Sequence, residues 1–74
     1  MSWITDERRP EIIEAVDSCW GKSKRVIILL ENGEVFVAEF NSGIEEGEPW
    51  EQWYLPCFDD AVETIIGWCD CIPD

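Results

Sequence analysis

The densest chemistry in the chain lies in IEEGEPWEQWY, residues 44–54, where Glu45, Glu46, Glu48 and Glu51 stand among Trp50, Trp53 and Tyr54. Two carboxylates across a cleft can hydrolyse a glycosidic bond. Several carboxylates on one loop can hold calcium. Carboxylates beside indole rings can also form a recognition surface, tryptophan being enriched among interface hot spots. The rest of the chain decides among these.

Catalysis finds little support. The chain has no histidine, hence no imidazole base and no histidine triad. No Lys or Arg follows Arg25, so the acidic half has no cation for a phosphate or an oxyanion. Gly43 and Gly47 are isolated, outside any phosphate-binding motif. A chain of 74 residues leaves little to build a cleft with. We expect a non-enzymatic protein without catalytic residues. Glu45, Glu46 and Glu48 lack the Asp/Asn spacing of calcium loops. Structural zinc sites use two cysteine pairs spaced by two to four residues. Cys69 and Cys71 form one pair spaced by one, with Cys57 and Cys19 far away. On a strand these two point to one face, where small buried hydrophobes also sit. No metal and no cofactor is expected.

The opening MSWITDERRP has no apolar core of the signal-peptide kind, so a cytoplasmic setting with reduced, buried thiols is expected. No run approaches the roughly 20 apolar residues of a membrane span. Seventeen acids against five bases leave a net charge of −12. Arg8, Arg9, Lys22, Lys24 and Arg25 all fall within the first 25 residues, beside Asp6, Glu7, Glu11, Glu14 and Asp17. That third is neutral by count, and residues 26–74 carry the whole net charge. Such a surface repels nucleic acid and anionic membranes and attracts basic partners. Acid for solubility alone is the simpler account.

The elements that must position these groups can be read from periodicity. In RPEIIEAVDSCWG, Ile12, Ile13, Val16, Cys19 and Trp20 recur at helical spacing. Pro10 suits a first turn and Gly21 a C-terminal cap, so a helix is expected. Val26–Leu30 reads as a central strand. Asn32-Gly33 reads as a two-residue hairpin turn. In that register Glu31 faces Glu34 and Leu29 faces Phe36, and Ile27, Leu29, Phe36, Ala38 and Phe40 share one face. Like charges at Glu31 and Glu34 would then cost stability. Residues 41–49 read as a loop, residues 50–55 as a strand, residues 58–62 as a helical turn capped by Asp59, and residues 63–72 as a strand. Three residues apart on a strand, Trp50 and Trp53 point to opposite faces. The expected fold is α+β: one small domain over residues 1–74, with three to four antiparallel strands and one N-terminal amphipathic helix packed on a face.

Trp3, Ile4, Arg8 and Pro10 at the start, the hairpin VIILLENGEVFVAEF with the later Trp50, and TIIGWCDCIP at the end together resemble a small phage and prophage family, domain of unknown function 551. Its members run from the proline to the first strand within a few residues, so the segment between Pro10 and Val26 is an addition. Asp70 and Ile72 replace two prolines of the closing motif. The resemblance implies a small antiparallel sheet and a phage or mobile-element setting, with no catalytic residue.

The leading expectation is an acidic phage-type protein that blocks a basic, nucleic-acid-binding surface of a host protein or nucleoprotein complex. An anti-CRISPR or other anti-defence inhibitor acting partly as a nucleic-acid mimic is of this kind. Carboxylates two apart on a strand lie about 6.6 Å from each other, near twice the roughly 3.4 Å per-strand charge spacing of DNA. The expected contact residues are Glu45, Glu46, Glu48 and Glu51, with Trp50 and Trp53 as anchors and Glu31, Glu34, Asp59 and Asp60 as a second set. Two other readings stand beside it: a structural module that forms a homodimer, and a small-ligand binder with a tryptophan-lined pocket.

Overall fold

Val26 and Ile28 are fully buried at the centre of the molecule, as a β-branched apolar run in a central strand should be. The computed structural model describes residues 3–70. Its strands are β1 (Ile12–Ala15), β2 (Trp20–Leu29), β3 (Val35–Glu45), β4 (Glu48–Leu55), β5 (Asp60–Val62) and β6 (Gly67–Cys69). They form one antiparallel sheet in the order β1-β2-β3-β4-β5, with β6 also paired to β2. β3 lies along one edge of β2. β1 and β6 share the other edge, β1 at Gly21–Ser23 and β6 at Ile27–Leu29.

The described residues contain no helix, so the α+β expectation is wrong and the fold is all-β. The supposed helix is a hairpin. β1 turns at Asp17, whose carboxylate accepts the Cys19 N–H at 2.6 Å, while the Val16 N–H reaches the Trp20 carbonyl at 3.1 Å. A helix would have had to bury Ile12, Ile13, Val16, Cys19 and Trp20 together. Ile13 is instead 62% exposed, and Ile12 and Val16 are also exposed. Ile12, Ile13 and Val16 are β-branched, which favours strand over helix. Gly21 is a strand residue rather than a cap. A Cβ there would lie 2.7 Å from Ile12 Cγ2 and 2.8 Å from the Glu14 carbonyl oxygen, so its missing side chain lets β1 approach β2.

The first long hairpin is slipped by one residue from its expected register. Leu29 pairs with Val35, Ile28 with Phe36 and Val26 with Ala38. The loop has three residues, Glu31-Asn32-Gly33. The Leu30 N–H donates to the Glu34 carbonyl at 2.8 Å and the Gly33 N–H to the Leu30 carbonyl at 2.9 Å. Only Gly33 has positive φ there, at 90°. This is a type I turn closed by a glycine bulge, the usual three-residue alternative to the two-residue turn. A slip of one exchanges the faces of one strand relative to its neighbour. Val26, Ile28, Phe36, Ala38 and Phe40 therefore share the core face, while Ile27, Leu29, Val35 and Val37 line the outer one. Glu31 does not oppose Glu34, whose N–H and carboxylate are both taken by the Asn32 side chain.

Two further expectations fail downstream. Residues 41–49 are not a loop, because β3 runs to Glu45 and β4 begins at Glu48. The residues between, Glu46 and Gly47, have φ of 52° and 80°, the two positive values of a type I′ hairpin turn. Residues 58–62 are not a helical turn. Asp60–Val62 is an edge strand, and Asp59 has φ of 50°. Residues 63–72 form a shorter strand than expected, Gly67–Cys69, and the part from Cys71 onward lies outside the described residues.

The sheet covers its own core by curling. Trp53 on β4 and Trp68 on β6 are separated by β3 and β2, about 14 Å in a flat sheet, yet their rings lie 6.3 Å apart. Phe40 closes on Trp53 at 4.8 Å. Ile4, Leu30, Phe36, Val62 and Ile65 pack around them. The buried Trp68 indole donates to the Arg8 carbonyl at 2.9 Å, and Ile4 exchanges backbone hydrogen bonds with Trp68 at 2.7 and 3.1 Å. Where β2 bulges between Lys22 and Arg25, the Ser23 hydroxyl accepts the Phe40 N–H at 3.0 Å and donates to the Lys24 carbonyl at 2.7 Å.

Candidate recognition surface

β3 fixes the layout of the acids. Its eleven residues span roughly 33 Å, close to the 35 Å long dimension of the molecule. Glu31, Glu34, Asp59 and Asp60 lie at one end of the sheet, and Glu45, Glu46 and Glu48 at the other. The two expected sets are thus two poles rather than one strip.

At the second pole, Glu45 and Glu48 are direct cross-strand partners. The like-charge pair expected at Glu31 and Glu34 occurs here instead, with a third carboxylate, Glu46, in the turn between them. Glu51 belongs to neither pole. It shares a face with the core, and its carboxylate accepts from Arg9 Nε at 3.2 Å. Trp53 is buried and presents no ring to a partner. Trp50 is half-buried on the outer face, as three-residue spacing on a strand requires.

Trp50 has a partner that sequence reasoning missed. Trp20, Gly43 and Trp50 occupy one cross-strand row, since Trp20 pairs with Gly43 and Gly43 with Trp50. Gly43 carries no side chain, and the two indoles meet over it at 5.9 Å, tilted by 47°. Beside them opens a cleft of about 370 Å³ lined by Cys19, Trp20, Ile44, Glu45, Glu46 and Trp50. Trp20 was assigned to the buried face of a helix, and only its strand register moves it here. Gly43 follows Asn41 and Ser42, which read as turn formers, so the local sequence held no signal for a strand glycine there.

Further along the outer face Lys22 reaches Glu14 and Glu39, each at 3.7 Å. A second cleft of about 250 Å³ is lined by Trp20, Lys22, Glu39, Asn41, Gln52 and Tyr54. The remaining ion pairs are Arg8 with Asp6 at 3.1 Å and Lys24 with Asp70 at 3.9 Å. These surface pairs add little stability, but they occupy four of the five bases, and Arg25 forms no ion pair among the described residues. Among the described residues, none of Glu31, Glu34, Glu45, Glu46, Glu48, Asp59 and Asp60 forms an ion pair. The Asp6 carboxyl is held below its ordinary range by hydrogen bonds from Arg8.

At the first pole the Tyr54 hydroxyl donates to Asp59 at 2.6 Å. This hydrogen bond, with the neighbouring negative charge, raises the phenol above its ordinary range. A raised folded-state value favours the folded protein below the unfolded phenol's titration, and that contribution is lost as pH rises through the folded value. Tyr54 is the chain's single tyrosine, so spectrophotometric titration reads it alone. It should titrate higher in the native protein than in urea, and Asp59→Asn should lower it. Identical native and unfolded curves would remove the interaction.

Cys69 is buried as expected, whereas Cys19 and Cys57 are exposed thiols. Cys71 lies outside the described residues. Among the described residues no three His, Cys, Asp or Glu side chains are placed to hold a metal ion, and no helix is long and apolar enough to cross a membrane. No family model, no curated protein and no solved structure matches the chain.

Proposed function

We propose that this protein is a non-enzymatic binding module that covers a basic, nucleic-acid-binding surface of a host protein. The phage setting belongs to the same proposal and rests on the sequence resemblance; the anti-defence role rests on that setting together with the acidic surface. The observation that carries it is the separation of charge. Four of the five bases, Arg8, Arg9, Lys22 and Lys24, are paired to acids within the chain, while the carboxylates at both ends of the sheet form no ion pair among the described residues. The poles lie roughly 33 Å apart, about one turn of B-DNA, a span over which a nucleic-acid-binding groove presents cations.

The test is capture from a bacterial lysate on immobilised protein, with a duplex oligonucleotide as competitor. Captured proteins should be nucleic-acid-binding and should be displaced by the duplex. Their affinity should fall at least about tenfold between roughly 0.1 M and 1 M salt, as the Debye length shrinks from about 10 to 3 Å. Affinity independent of salt would sink the proposal.

The oligomerisation reading is favoured by one observation. Val35 and Val37 are 51% and 39% exposed on the outer face, next to Ile27 and Leu29. A dimer that persists on dilution in light scattering, with no captured basic partner, would replace the first reading.

A further inference from the structure

We propose that the cleft between Trp20, Trp50 and the Glu46-Gly47 turn receives an arginine side chain of the partner. This rests on the reading that the partner is basic, and it names the point of entry. Three observations converge there. Two indoles meet at 5.9 Å with a 47° tilt, leaving a wedge rather than a closed stack. The wedge opens on a cleft of about 370 Å³ that also reaches Ile44, Glu45 and Glu46. Glu45, which lines the cleft, pairs across the hairpin with Glu48, which stands beside the cleft on the same side of the sheet as Trp50, and neither forms an ion pair among the described residues.

The chemistry of the wedge selects its occupant. An indole face attracts a cation, arginine more often than lysine. A planar guanidinium can stack on one ring while its edge N–H groups reach two carboxylates. A lysine ammonium is a compact, strongly hydrated charge with no plane to stack. A cation between Glu45 and Glu48 also removes their cross-strand repulsion. An apolar or acidic occupant would leave that repulsion in place. The opposite pole has carboxylates too, but Glu34 is tied to Asn32 and Asp59 to Tyr54. Its exposed ring, Phe58, is packed edge-on against Phe36 at 5.5 Å.

The experiment titrates the full chain with capped heptaarginine and capped heptalysine at low salt, following the five tryptophan indole N–H resonances by NMR. Single Trp→Phe variants assign the resonances. The Trp20 and Trp50 signals should move and those of Trp53 and Trp68 should stay. Heptaarginine should bind about tenfold more tightly than heptalysine. Glu45→Gln with Glu48→Gln should weaken it at least about tenfold, whereas Glu31→Gln with Glu34→Gln should leave the Trp20 and Trp50 shifts unchanged. The first pair of substitutions removes a repulsion, so that variant folds at least as well as the parent. Heptaarginine binding with unmoved Trp20 and Trp50 signals overturns this inference and leaves the basic-partner proposal standing. Equal affinity for the two peptides overturns the choice of arginine. Failure of both peptides to bind overturns the inference and the function proposed above together.

Discussion

Trp53→Ala is expected to destabilise the protein by about 3–5 kcal/mol, the usual range for deleting a buried aromatic side chain. Trp53 is 3% exposed and contacts both Phe40 and Trp68. It therefore ties β4 to β6 across two intervening strands, and its removal leaves the curled sheet without its central filler. A chain this short buries only about 60% of its unfolded surface, which places its total stability toward the low end of the usual 5–15 kcal/mol. The variant should be largely unfolded by circular dichroism at 25 °C. Trp50→Ala should cost only about 1 kcal/mol, the scale of one aromatic pair, and keep the native spectrum. If urea unfolding showed the two variants to be equally stable, the assignment of Trp53 to the core and Trp50 to the surface would fail.

Gly43→Ala is the second large effect, expected to cost about 1–3 kcal/mol or more from overpacking. A Cβ at this position would overlap the Cys19 carbonyl oxygen and Trp20 Cβ. Backbone atoms cannot yield as a flexible side-chain tip can. Relief would require β2 and β3 to separate where the Ile44 N–H bonds to the Cys19 carbonyl at 2.8 Å. Trp20 and Trp50 meet over this residue, so their near-ultraviolet circular dichroism should change with the stability. Gly33→Ala tests the alternative that any glycine substitution would do the same. It has open space around its Cβ position, and its cost should come from positive φ alone, about 1 kcal/mol. An unchanged unfolding midpoint for Gly43→Ala would mean that the Trp20-Gly43-Trp50 row is not formed as described.

Much of the sheet was legible where one local rule dominated. Val26–Leu30 is apolar throughout and β-branched at Val26, Ile27 and Ile28, and its residues up to Leu29 belong to the interior strand β2. Trp50 and Trp53 differ by three, and one is half-buried while the other is buried. The failures share a cause. Ile12, Ile13, Val16, Cys19 and Trp20 satisfy the helical period, but a period states only which residues could share a face. Whether a surface exists to cover that face is a tertiary matter, and here β1 pairs with the extended β2 instead. Asn32-Gly33 satisfies a two-residue turn, yet a three-residue loop with positive φ only at Gly33 meets the same composition and slips the register by one. Glu46-Gly47 forms the tighter turn although glutamate is a poor residue for positive φ, because the pairing on both sides carries it.

The amino-acid order by itself determined the excess of acid after Arg25, the lack of any imidazole, the central strand and the division of Trp50 from Trp53. These follow from composition and from the two-residue period of a strand, which need no knowledge of neighbours. Only the tertiary structure decided which carboxylates stand together. Strand pairing joins residues distant in the chain, and a shift of one position exchanges the faces of a strand. It brought Trp20 to Trp50 over Gly43, set Glu45 opposite Glu48, tied Glu51 to Arg9, and placed the other acidic set at the far end of β3.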